Sequence, residues 1–331
     1  MASRVTSEDV ARVAGVSRAT VSYVLNGRSG QSISEATRER VLAAAQELGY
    51  SPSTAARTLR RGRSDLVLML LPPEPLGRAL AMVLDSASEY VEQAGLRLIA
   101  HRLPDGGAAA PLVRSLVPAA LIVATPLNAE DLDSLQASGV PMASLQQDHA
   151  DPLGADLGIG AMQVQYLSSA GHRRIGVALP AGPGYQWRAD ARLAAIQEAC
   201  SRNGLLPPAV ERIGLDPAAA AAAIDRWRQA RIPVTGVCAF DDEYAFALLA
   251  GLSMLNLSAP SDLAVVGAED IPLARLAIPP LTTVSVHARR IGVLFAQLAT
   301  ASLVPTDSSA GTTAEPAESL PPVTLVLRSS A

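Results

Sequence analysis

Arg18, Ala19, Ser22 and Tyr23 are spaced so that a short helix would carry them on one polar face, with a guanidinium near its leading end. A guanidinium fork donates paired hydrogen bonds, which suits phosphate oxygens and the exposed edge of guanine. A helix that enters the major groove turns its first residues to the base edges, so Arg18 and Ala19 are the expected readers and Tyr23 follows one turn later. A second group lies far along the chain, where the adjacent carboxylates Asp241 and Asp242 follow a short apolar run. Paired carboxylates can exchange protons with a substrate, but at the end of a strand they more often cap a helix or hold a ligand.

The remaining residues speak against catalysis. His101, His149, His172 and His287 are scattered, and neither a serine nor a cysteine stands in a nucleophile motif beside them. Gly158-Ile-Gly160 is too short for a dinucleotide fingerprint, and a chain without lysine has no phosphate-loop lysine. Cys200 and Cys238, the two cysteines, lack metal-ligand or disulfide-framework spacing and read as small buried hydrophobes. The expectation is a binding protein with no enzymatic activity, no cofactor and no metal.

The elements that must position Arg18 can be read directly. Thr6 stands three residues before Asp9, the spacing of a capping box, and Val10, Ala11 and Ala14 form one apolar face. Gly15 supplies a turn, Ser17 caps a second helix, and Val21, Val24 and Leu25 give that helix its stripe. Together they make a helix-turn-helix. Ser34 opens a third helix, with Val41, Leu42, Ala45 and Leu48 expected on the core face and Gly49 ending it. Tyr50 to Ser64 is short and arginine-rich, with Leu59 as its prominent apolar residue.

Charge divides the chain in the same place. Residues 1–64 carry a net charge of +5 and residues 65–331 a net charge of −9, so the overall value of −4 hides a basic head. Such a head has salt-sensitive affinity for phosphate, while the acidic body is repelled by it. The 331 residues are 49% hydrophobic, enough for more than one domain. The start lacks a secretory pattern and no apolar run approaches the ~20 residues of a membrane span, which points to the cytoplasm.

From Asp65 onward, short apolar runs alternate with amphipathic stretches. Strands are expected over 65–71, 97–103, 119–125, 140–146, 174–179, 235–240 and 263–266, and helices over 76–93, 131–138, 159–169, 189–202, 217–230 and 243–255. This alternation predicts α/β architecture with parallel sheets covered on both faces. The units are too many for one compact sheet, so two lobes are expected, with a ligand cleft at the carboxyl ends of their strands. Thr306 to Leu320 has no periodicity and reads as a flexible loop.

The order of head, basic segment and two-lobed body resembles the LacI/GalR family of bacterial transcription regulators. Further points of likeness are Gly171-His-Arg-Arg-Ile175, Val265-Val-Gly-Ala-Glu-Asp270 and Pro279-Pro-Leu-Thr-Thr-Val284. The resemblance implies an all-α helix-turn-helix domain over 1–50, a hinge helix over 51–64, and a periplasmic-binding-protein-like effector and dimerisation domain over 65–331. Lobe one would hold about 65–157 and 288–303, and lobe two about 160–285 and 323–330. In the hinge, Leu59 would wedge into the central minor groove while Arg57, Arg60, Arg61 and Arg63 meet the backbone. The DNA-facing residues of the head would be Thr6, Ser17, Arg18, Ala19, Thr20, Ser22, Tyr23 and Asn26.

For the cleft, the resemblance implies effector contacts from Gln146, Arg188, Asp241 and Glu269. There the chain departs from the family pattern: Asp241 replaces an amide, Gln146 an acid and Ala268 an aromatic, while Leu157 stands where asparagine is usual. A sugar or sugar derivative is the first expectation for the ligand, and a diverged cleft taking a non-sugar ligand is the alternative. The expected protein is a homodimer on near-palindromic double-stranded DNA, with no membrane partner, its protomers meeting along 76–93 and neighbouring elements. A solute-binding protein of the same body fold would account for residues 65–331 and leave residues 1–64 without a purpose.

Overall fold

The computed structural model describes residues 5–25, 33–50, 64–104, 107–144, 158–303 and 322–331. The chain forms two compact units, Met1–Ser64 and Asp65–Ala331. In the first, α1 (Ser7–Ala14), α2 (Arg18–Leu25) and α3 (Glu35–Glu47) enclose a core of Val10, Ala11, Ala14, Val21, Val24, Val41, Ala44 and Ala45. Small side chains let three short helices approach closely enough to seal this core. Leu42 is a correction to the expected stripe: it is 49% exposed, and Ala44 takes the core position. Positions 41, 44, 45 and 48 follow the helical repeat, whereas 42 is turned about 100° from 41.

The second unit contains two sheets. Strands β1 (Leu66–Leu71), β2 (Arg97–Arg102), β3 (Ala120–Val123) and β4 (Met142–Ser144) pair in parallel in the order β2-β1-β3-β4. Helices α4 (Arg78–Gln93), α5 (Ala110–Leu116) and α6 (Ala129–Ala137) connect them. The second sheet has the order β10-β9-β8-β7-β5-β6. Its strands are β5 (Ile175–Pro180), β6 (Ala209–Ile213), β7 (Gly236–Ala239), β8 (Ala264–Glu269), β9 (Thr282–Ser285) and β10 (Thr324–Val326). All pair in parallel except β10, which runs antiparallel to β9. Helices α7 (Ile159–Ser169), α8 (Gln186–Arg202), α9 (Pro217–Gln229) and α10 (Asp242–Met254) belong to this lobe.

Unbroken apolar runs such as Leu66 to Leu71 form strands buried on both faces, as the parallel arrangement requires. The elements α5, β6 and β9 were not among those expected. Pro111 sits in the first turn of α5, and β6 alternates partly exposed residues at the sheet edge, so neither shows a clear periodic signal.

α11 (Ala288–Thr300) crosses back to pack along α4. Gly292 faces Val83 and Ser86, and a Cβ at Gly292 would fall on the Val83 carbonyl oxygen and the Ser86 hydroxyl. This seam also takes up the apolar face of α4, where Ala79, Val83, Ala87 and Val91 are buried within the chain. Gly292→Ala is therefore expected to lower stability by about 1–3 kcal/mol through forced separation of the two helices. A urea titration of the two proteins checks this, and an unchanged midpoint would mean that the seam has slack.

Candidate functional site

In the head, local hydrogen bonds fix the turn and its flanking helices. The Asp9 carboxylate accepts from the Thr6 amide at 3.0 Å and from its hydroxyl at 2.8 Å, and the Asp9 amide donates to the Thr6 hydroxyl at 3.4 Å. These bonds, with Arg12 also contributing, hold the Asp9 carboxyl down to about 2. Gly15 takes a left-handed φ of +64° between α1 and α2. Ser17 Oγ accepts from the Thr20 amide at 3.1 Å and lies 2.9 Å from the Thr20 hydroxyl. Thr6, Ser17 and Thr20 therefore use their hydroxyls to shape the helix starts. Arg18 and Ala19 are exposed, and Ser22 and Tyr23 are half-buried beside them. Asn26, Arg57, Leu59, Arg60, Arg61 and Arg63 lie outside the described residues, as do Gln146 and the segment Thr306 to Leu320.

In the body, strand order determines where polar groups converge. Consecutive crossovers leave β1 in opposite directions, as they do β5, which puts a switch point between β1 and β3 and another between β5 and β7. The carboxyl ends at the second switch point lead to Arg188, early in α8, and to Asp241, just beyond β7. Glu269 is the last residue of β8, and Glu74 follows β1.

The contacts among these residues are specific. Arg188 Nη2 donates to Glu269 Oε1 at 2.8 Å, and its guanidinium carbon lies 5.0 Å from the centre of the Phe240 ring. One helical turn later, the buried Arg192 donates to the Phe240 carbonyl at 2.5 Å and lies 5.5 Å from the same ring. Trp187 Nε1 donates to Glu74 Oε2 at 3.4 Å, which links the two lobes. Arg188, Asp241 and Glu269 are thus brought together. Glu74, Tyr185, Trp187, Arg192 and Tyr244 were missed, although Arg188 and Arg192 share a helix face and Glu74 stands between prolines after a strand.

Asp241 caps α10, its Oδ1 accepting from the Tyr244 amide at 3.0 Å. Burial, and next the nearby Glu269 charge, push its carboxyl up to about 7. Asp242 is fully buried and accepts from the Ile271 amide at 2.8 Å and from the Thr283 hydroxyl at 2.5 Å. Burial pushes it up to about 8 despite these bonds. The pair therefore divides: Asp241 caps α10 beside Arg188 and Glu269, and Asp242 ties α10 to the elements beside it. Burial alone would lower Arg188, but Glu269 more than offsets this and raises it. His172 bonds Thr235 through Nδ1 at 2.8 Å at the start of the sheet, which is a structural position, and burial lowers its pKa.

Residues 6–53 match the lacI family of bacterial regulatory proteins, and residues 164–331 match the periplasmic binding protein-like domain. The transcriptional regulator MalR of Streptomyces coelicolor is 33% identical over 309 residues, covering 83% of each chain. The transcriptional repressor PurR of Photobacterium profundum is 29% identical over 300 residues, covering 87% of this chain and 88% of its own. The lac repressor dimer, crystallised with operator and the anti-inducer ONPF, superimposes with a TM-score of 0.79 at 24% identity and 99% coverage of both chains.

The chain belongs to the LacI family. This LacI-family protein is a DNA-binding regulator of transcription and not an enzyme. Among the described residues, no helix is long and apolar enough to cross a membrane, and no cluster of three His, Cys, Asp or Glu side chains could hold a metal ion.

Both buried acids of this LacI-family body stand above the usual carboxylate range, so the fold favours their protonated forms. Their contribution to stability is fully present below about pH 4 and is lost as pH rises through about 7 to 8. The thermal midpoint is expected to fall across that window. Asp241→Asn keeps the cap without the charge and should flatten the fall. Parallel pH profiles of the two proteins would show it, and identical slopes would place the titration elsewhere.

Proposed function

We propose that this regulator represses transcription as a homodimer on a near-palindromic operator, in the cytoplasm, and that a small hydroxylated ligand bound between its lobes controls its hold on DNA. Arg18 and Ala19 read base edges, Tyr23 supports them, and the basic segment beyond Tyr50, with Leu59 as wedge, meets the minor groove. Arg188, Asp241 and Glu269 contact the ligand. The observation that carries this reading is the Arg188–Glu269 pair beside Asp241 at strand ends, in the same chain as a capped helix-turn-helix. The relatives support it: PurR is named a repressor, and the lac repressor structure contains both operator and an anti-inducer.

A second copy has a suitable surface to cover. Leu273 (56% exposed), Leu276 (69%) and Ile278 (92%) adjoin a groove lined by Phe246, Leu249 and Ala250 of α10. Apolar side chains so exposed and so close together mark an association surface. We assign the dimer contact of lobe two to this face. Ile278→Asp should shift the protein toward monomer in sedimentation velocity and weaken operator binding, and a dimer of undiminished stability would reject the assignment.

Selection of bound duplexes from a random library tests the central reading and should return an inverted repeat. Arg18→Ala is expected to relax preference at one position in each half-site, costing about 1–3 kcal/mol. Equal loss on all duplexes would make Arg18 a phosphate contact. Arg188→Ala should remove the response to ligand while the operator is still bound. A response that survives in this variant would take Arg188 out of the cleft.

A further inference from the structure

Asp241 is 8% exposed, yet only one of its carboxylate oxygens is engaged. Oδ1 accepts from the Tyr244 amide at 3.0 Å, while Oδ2 accepts no hydrogen bond from any described residue. The titratable and charged groups around it are Glu269 at the end of β8, Asp242 and Glu243 on α10, Arg188 on α8, and Tyr185 and Tyr244, whose hydroxyls are raised partly by Asp241 itself. Arg188 is the cation among them, and its ion pair, at 2.8 Å, goes to Glu269. Its guanidinium is further fixed over Phe240. When ionised, Asp241 is left as an acceptor-only group beside Arg188 and Glu269, largely out of water and without a cation in contact.

A buried carboxylate in that position gains most from a partner that brings both positive charge and hydrogen-bond donors. A neutral hydroxyl supplies one donor and no charge, and an anionic ligand would meet Asp241 and Glu269 together. We propose that the ligand of this cleft carries a protonated primary amine, seated on Asp241 Oδ2, as an amino sugar does. The proposal rests on the cleft reading given above and adds the charge of the ligand to it. Arg188 and Glu269 then serve the hydroxyl groups, the guanidinium as donor and the carboxylate as acceptor. The amine is what separates the ligand from its neutral parent.

The test uses full-length protein on its selected operator near neutral pH. Glucosamine, galactosamine and mannosamine are each compared with the N-acetyl derivative and the parent hexose, by thermal midpoint and by operator affinity. At least one amine is expected to bind about tenfold or more tighter than both of its uncharged counterparts. Asp241→Asn, which retains the cap, should bring that ratio close to one. The proposal is overturned if no amine shifts the midpoint, if the parent or N-acetyl form binds as tightly as the amine, or if the preference survives in Asp241→Asn. Parent hexoses that act on the wild type as strongly as the amines, and not on Arg188→Ala, would leave the cleft reading standing while removing the amine. Ligands that act equally on the wild type and on Arg188→Ala would remove the cleft reading itself.

Discussion

A single guanidinium makes the acidic end of the second sheet tolerable. Parallel strands deliver their carboxyl ends to one edge, and here that edge receives Asp241, Asp242 and Glu269 from strands that stand side by side. Carboxylates so placed lose hydration and, to a lesser extent, repel one another, which is why Asp241 and Asp242 rise to about 7 and about 8. Arg188 answers with a direct bond to Glu269 and a ring contact to Phe240. Arg192, one turn away, holds the Phe240 carbonyl and fixes the residue on which Arg188 rests. If Arg188 were absent, Glu269 would keep its burial and lose its countercharge, an arrangement far costlier than an apolar replacement of both.

The head was legible in the sequence almost residue by residue, because its structure is made from local contacts. Thr6 and Asp9, Ser17 and Thr20, and Ser34 and Thr37 are each three residues apart, and each pair forms the cap that its spacing announces. Leu42 is the exception: its bulk suggests a core residue, but the helical repeat puts the smaller Ala44 inside. Strands such as β1, β3, β5 and β7 were legible for a different reason: burial on both faces leaves unbroken apolar runs. β6 lies at a sheet edge and β9, which follows Pro279 and Pro280, is half threonine, and neither leaves such a run.

The polar cluster at the strand ends was only half legible. Arg188, Asp241 and Glu269 could be named, but their pairing spans 81 residues between Arg188 and Glu269, and no periodicity reports such a distance. Nor does spacing separate Asp241 from Asp242. That distinction depends on Gly267, where a Cβ would collide with Asp242 and Leu281, so that the absence of a side chain makes room for one buried acid. Glu74 escaped because its role follows from the first lobe meeting the second, through Trp187.

The last residue of β8 joins these observations. Glu269 adopts φ +94° and Asp270 φ +53°, regions that side-chain-bearing residues enter at a cost of order 1–3 kcal/mol each. Each is held by an arginine from elsewhere in the chain, Glu269 by Arg188 and Asp270 by Arg328 at 2.7 Å. The strained turn and the ion pairs therefore depend on each other, and the turn aims Glu269 at Arg188. A ligand changes the balance of a two-lobed protein only by interacting differently with its alternative arrangements. Under the proposed assignment of Arg188 to the ligand, a ligand that competes for this guanidinium acts on the restraint of β8, through Glu269, and on the surroundings of the neighbouring Trp187, which is bonded to the other lobe.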